Sequence, residues 1–134
     1  MSRSPAGAAG GANGAPRVVA VGRNRRNLEL IAEVLSGDGV STATADSLEA
    51  FDQMLEDAQG LRLVLIDLAG FDQRIWERTE RLRRMGVPFL VFSAGPRAAW
   101  EEKEGLSRGA LTVLRKPLGK RELIGIVRSL LGAR

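Results

Sequence analysis

The chain has 134 residues, 44% hydrophobic and 27% charged, with 20 basic against 16 acidic side chains, the composition of one globular domain. It contains no Cys and no His, which excludes disulfide scaffolds, thiolate and imidazole metal sites, Cys nucleophiles and any mechanism run by a histidine base. No apolar run approaches the roughly 18 residues of a membrane helix, and the start lacks the apolar core of a signal peptide, so a cytoplasmic location is expected. The pI near 10.6 points toward nucleic acid, but the charge distribution weakens it. With Arg3 and Arg17 in the N-terminal stretch, residues 18–134 carry 18 basic and 16 acidic groups, a net +2. Arginine dominance with no His or Tyr sets the pI, and this argues against a nucleic-acid partner.

Residues 1–17, MSRSPAGAAGGANGAPR, hold four Gly, five Ala and two Pro and no large apolar side chain except Met1. Such a segment has too little apolar surface to offset its ordering entropy and reads as a disordered tail or linker. The domain is expected over 18–134. Val18–Val21 reads as a short buried strand. Leu28, Ile31, Ala32 and Leu35 then recur at helical spacing, and Gly37 and Gly39 end that helix. Val40–Thr44 is β-branched and strand-like. Asp46 with Glu49 predicts an N-cap and capping pair for a helix carrying Leu48, Phe51 and Leu55. Leu63–Leu68 is the clearest strand, apolar except for Asp67. Ile75, Thr79 and Leu82 mark a third helix, closed by Gly86 and Pro88. Phe89–Ser93 is the fourth strand. Trp100, Lys103 and Leu106 mark a helix ending near Gly109, Leu111–Leu114 is the fifth strand, and Leu123, Val127, Leu130 and Leu131 mark the last helix. Strands that alternate with helices predict βαβ units and a parallel sheet covered on both faces.

In a doubly wound sheet, ligands meet the C-terminal ends of the strands. Strand one ends at Gly22-Arg23-Asn24, strand three at Asp67, strand four at Ser93, and strand five at Arg115-Lys116-Pro117. A carboxylate, a hydroxyl and an ammonium therefore converge on one edge. Asp67 stands out, because an acid closing so apolar a strand needs partners or a task to offset its desolvation.

At these residues the sequence resembles the receiver domain of two-component response regulators, over about residues 18–132. The resemblance implies a flavodoxin/CheY-like sheet in the order 2-1-3-4-5. It also implies that LVLIDL supplies Asp67 as phospho-acceptor, VFSA supplies Ser93 as phosphoryl sensor, and RKPL supplies Lys116 as charge partner. A sensor kinase or downstream effector would be the partner, and the face of the fourth helix, fifth strand and fifth helix could serve a homodimer.

The sequence departs from the family at the metal site. Two acidic residues follow the first strand in the family; here they are Gly22 and Arg23. Magnesium binds through carboxylate oxygens and water, so no metal or other cofactor is expected, and phosphoryl transfer to Asp67 should be slow or absent. Mg²⁺ enters only if the site is competent through an unusual arrangement such as Asp72 or a backbone carbonyl. The aromatic switch position is Val113. One reading of Arg23 pairs it with Asp67 in place of the ion; the other leaves Arg23, Arg25 and Arg26 as solvated surface arginines. A different class of function, a small-anion or nucleotide-binding module, would use Arg23, Arg25 and Lys116. Arg74, Arg78 and Arg81 align on one helix face, and Glu77–Arg81 and Glu80–Arg84 pairs predict a salt-bridged solvent face. Trp100 with Lys103 marks a candidate partner surface, the alternative being Trp100 packed against the last helix. No phosphate-binding glycine loop or nucleophile elbow follows a strand, so the chain reads as a signalling module and not an enzyme.

Overall fold

The computed structural model describes residues 16–132. Five strands alternate with five helices: β1 (Val18–Val21), α1 (Arg25–Gly37), β2 (Thr42–Ala45), α2 (Leu48–Glu56), β3 (Leu63–Asp67), α3 (Ile75–Met85), β4 (Phe89–Ser93), α4 (Ala98–Ser107), β5 (Val113–Arg115) and α5 (Lys120–Leu130). The strands form one parallel sheet in the order β2-β1-β3-β4-β5, as expected. Of the tail expected over residues 1–17, residues 1–15 fall outside the described residues. Arg17 lies within the domain: its N–H donates to Ser41 O and its carbonyl accepts from Arg62 and Leu63.

Alternation along the central strands divides the core between the two faces of the sheet. Val64 and Ile66 of β3 pack with Phe51 of α2 and with Ile75, Trp76 and Leu82 of α3. Leu63 and Leu65 pack with Leu28 and Leu35 of α1 and with Leu123 and Val127 of α5. Each fully buried Leu or Phe contributes roughly 1.5–3 kcal/mol of transfer free energy, so these two layers hold the sheet edge rigidly in place.

Three boundaries differ from the sequence reading. The second strand begins at Thr42 rather than Val40, and the fifth spans Val113–Arg115 rather than Leu111–Leu114. Leu111 still donates to Phe89 O, but its side chain is exposed. The cap of α2 is Ser47, whose Oγ accepts from Ala50 N at 3.0 Å. Asp46 is instead held by Arg25, with Nη2 2.8 Å from Oδ2. At the other end of α3, Gly86 takes φ +76°, the left-handed conformation that closes a helix without a Cβ penalty.

Candidate functional site

The parallel register brings the expected residues to one edge. Asp67 pairs with Phe92 across β3 and β4, so Ser93 stands one step further along. Lys116 N donates to Ser93 O at 2.9 Å, which ties the end of β5 to the end of β4. The Lys116–Pro117 peptide is cis.

Asp67 is 6% exposed and has two partners. Lys116 Nζ lies 2.7 Å from Oδ2, and Ala69 N donates to Oδ1 at 3.2 Å. A carboxylate so buried is tolerable only with such compensation. Ser93 is 1% exposed, and its Oγ is buried without a hydrogen-bond partner. An unpaired buried hydroxyl carries a desolvation cost of about 1–3 kcal/mol.

Gly22 lies directly against this carboxylate: a Cβ built on it would stand 3.2 Å from Asp67 Cβ and 3.3 Å from Leu28 Cδ2. The donor set does not fit a divalent cation. Gly22 offers no oxygen from a side chain, Arg23 contributes positive charge, and one Asp67 oxygen is already engaged by Lys116. Among the described residues, no group of three or more acidic side chains is placed to hold a metal. Asp72, considered as a substitute ligand, accepts instead from Arg74 N at 2.9 Å and from Arg74 Nε at 3.1 Å. The Arg74 guanidinium holds its carboxyl below the usual range.

The arginine readings resolve individually. Arg23 does not reach Asp67; Lys116 takes that role. The stem of Arg23 packs on Gly70, where a Cβ would meet Arg23 Cγ at 3.0 Å. Arg25 pairs with Asp46, and Arg26 approaches Glu29 at 3.9 Å. Arg25 is engaged by Asp46 and Lys116 by Asp67, while Arg23 leans on Gly70, so the three form no joint anion site. On α3, Glu80 meets both Arg83 and Arg84 as a solvent-face network, but Glu77 pairs with Arg78 rather than Arg81. Arg78 reaches across to Asp52 of α2 through Nε and Nη2, at 3.0 and 2.7 Å. This hydrogen-bonded pair lowers the Asp52 carboxyl from its ordinary value.

Trp100 is 45% exposed. Its ring carries the Arg97 guanidinium at 4.5 Å from the centroid and borders a cavity of about 370 Å³ together with Leu68, Phe71, Trp76 and Glu101. Lys103 and Leu106 are also exposed on α4. Sequence reading missed Arg97, although its spacing of three from Trp100 would bring the two together on one turn. It also missed the Asp52–Arg78 pair, which no local pattern signals across 26 positions.

No protein-family model and no curated protein matches the sequence. Solved structures do. NtrX from Brucella abortus in complex with ATP is 22% identical over 89% of this chain, with TM-score 0.76, and the alignment spans 27% of that chain. The receiver domain of the same NtrX aligns over 87% of this chain and 99% of its own, at 22% identity and TM-score 0.74. The receiver domain of Francisella response regulator 1452 aligns over 86% and 95%, at 22% identity and TM-score 0.71. The fold is that of response-regulator receiver domains.

Proposed function

We propose that this chain is an atypical receiver domain of two-component signal transduction. It carries Asp67 at the phospho-acceptor position, has weak or no Mg²⁺-dependent phosphorylation, and acts through protein–protein interaction. The observation that carries this reading is the Lys116–Asp67 contact of 2.7 Å beside Gly22. Phosphoryl transfer to a carboxylate builds charge on the equatorial oxygens, which must be compensated as it develops. Among the described residues Lys116 is the one cation in contact with Asp67, and it is already spent on the nucleophile. An ion-paired carboxylate is a poorer nucleophile, and the hydroxyl of Ser93 supplies a dipole but no charge.

On this reading Lys116 stands in for the missing cation permanently, so the domain rests in one state. Val113 in place of an aromatic switch agrees with a fixed output face. The exposed Trp100 and Lys103 on α4 form the candidate contact for a kinase or downstream effector, since exposed Trp and neighbouring charge mark interaction hot spots. A second copy of the chain docked on the α4, β5 and α5 face is a compatible arrangement. No described helix is long and apolar enough to cross a membrane, and the reading places the protein in the cytoplasm as a non-enzymatic module without a nucleic-acid partner.

The test is intact mass after incubation with a small phosphodonor, with and without Mg²⁺, beside an Asp67→Ala control. No adduct on folded protein is expected. A Mg²⁺-dependent adduct that Asp67→Ala abolishes would show an ordinary phospho-switch instead.

A further inference from the structure

In a sheet ordered 2-1-3-4-5, the chain departs in opposite directions after β1 and after β3, and the crevice between those strand ends is where such folds hold ligands. Gly22 and Asp67 close that crevice here, and beside it, apart from the Asp67 carboxylate, lies a cleft of about 160 Å³ bordered by Arg23 after β1, Glu49 of α2, and Gly70, Asp72, Arg74 and Arg78 after β3. Three guanidinium groups border it, and two are fixed. Arg78 is locked onto Asp52 through two hydrogen bonds and onto Arg74 O through Nη1. Arg74 is held by both oxygens of Asp72. Of the five guanidinium donors, Arg78 keeps one N–H, since Nη1 also donates to Glu77 at 3.3 Å, and Arg74 keeps more.

Arg23 differs. Its stem is seated against Gly70, yet it makes no ion pair with any described residue. The carboxylates of Asp52 and Asp72 are consumed by Arg78 and Arg74. Glu49 stands in the first turn of α2, where an acid is stabilised by the helix N-terminus. The cleft thus holds one guanidinium with no counter-charge assigned to it, between two that are already oriented.

We infer that this cleft binds a phosphate group reversibly, as the free ion or as the terminal phosphate of a small phosphomonoester, with Arg23 as the primary ligand and Arg74 and Arg78 as oriented donors. The fork geometry of guanidinium suits phosphate oxygens. Binding is non-covalent and does not use Asp67, so it stands apart from the phospho-acceptor question.

The experiment titrates the full chain with inorganic phosphate and separately with glycerol phosphate, following the arginine Nε–Hε signals by NMR, with sodium chloride at equal ionic strength as control. Saturable shifts at Arg23, Arg74 and Arg78 with one common constant are expected. That constant should weaken about tenfold in Arg23→Gln, the loss of one charged hydrogen-bonded ligand, and stay unchanged in Arg26→Gln, an exposed arginine outside the cleft. Stronger binding of glycerol phosphate would identify the ester as the better ligand, and equal binding the phosphate group alone. Binding kept in Arg23→Gln but lost in Lys116→Gln would overturn the assignment by moving the site to the sheet edge, where Lys116 meets Asp67. Non-saturating drift matching that in chloride would overturn it outright. Arg23 is exposed, so the amide spectrum of Arg23→Gln serves to show an unchanged fold.

Discussion

Lys116 Nζ and Asp67 Oδ2 stand 2.7 Å apart at the sheet edge, with Asp67 buried and the Lys116 side chain 28% exposed. The pair is asymmetric. Removing the lysine strands a buried carboxylate, whereas removing both charges leaves a site that apolar groups can fill. Breaking one partner of a buried pair costs about 3–5 kcal/mol, and the partial exposure of Lys116 lowers this to about 2–3 kcal/mol for Lys116→Ala. Lys116→Met combined with Asp67→Asn should recover most of that loss. Urea unfolding of the single and double variants measures both; a Lys116→Ala protein as stable as the parent would show that the pair does not hold the carboxylate.

The Asp52–Arg78 pair predicts a pH response outside the site. The Arg78 hydrogen bonds depress the folded carboxyl of Asp52 relative to its unfolded value. Its stabilising contribution is therefore complete above the unfolded pKa of about 3.9 and is lost as pH falls through the lower folded value. With both side chains partly open to solvent, the bidentate pair contributes about 1 kcal/mol. Asp52→Asn should lower stability by that amount at pH 7 and flatten the stability profile below pH ~4. Denaturant midpoints across that window check it, and an unchanged acid slope in Asp52→Asn would assign the slope to other carboxylates.

How far the molecule could be read from its sequence depended on burial. The strands β1, β3 and β4 were legible because both faces are covered, which forces continuous apolar runs. The edge strands were misplaced: β2 and β5 each have one neighbour, so their limits follow backbone pairing that side-chain pattern does not report. Local capping was misread for a similar reason. Asp46 and Ser47 are both good caps, and only the tertiary position of Arg25 removes Asp46 from the choice. At the site, Asp67, Ser93 and Lys116 were legible as strand ends. That Lys116 and not Arg23 meets Asp67 was not, since the reach of two cations to one carboxylate depends on loop geometry.

Gly22 predicts what restoring the acidic pair would require. A side chain there meets Asp67 Cβ and Leu28 Cδ2 at 3.2 and 3.3 Å, so the neighbours must yield by a few tenths of an ångström. Gly22→Asp with Arg23→Asp should cost about 1–2 kcal/mol without metal, from crowding and from three carboxylates brought together. It should then gain stability with added Mg²⁺, as any ligand that binds only the folded state requires. Thermal unfolding against Mg²⁺ concentration measures this; the parent midpoint should not move. If the variant also fails to respond, backbone geometry and not the missing acids is what excludes the ion.

The approach of α4 to the sheet provides the last test. Gly105 is buried in α4, and a Cβ on it would stand 3.0 Å from Val113 Cγ2 and 3.7 Å from Val91 Cβ. Alanine is about 1 kcal/mol better than glycine inside a helix, so on propensity alone Gly105→Ala should stabilise. Overpacking against Val113 costs about 1–3 kcal/mol and should reverse the sign, leaving Gly105→Ala less stable by up to about 2 kcal/mol. In a Val113→Ala background the obstructing methyl is gone, and the same Gly105→Ala change should stabilise. A double-mutant cycle by urea unfolding reads this coupling directly. Additive effects would mean that α4 shifts freely over β5. A sign reversal would mean that glycine fixes the height of α4 over the sheet, and with it the position of Trp100.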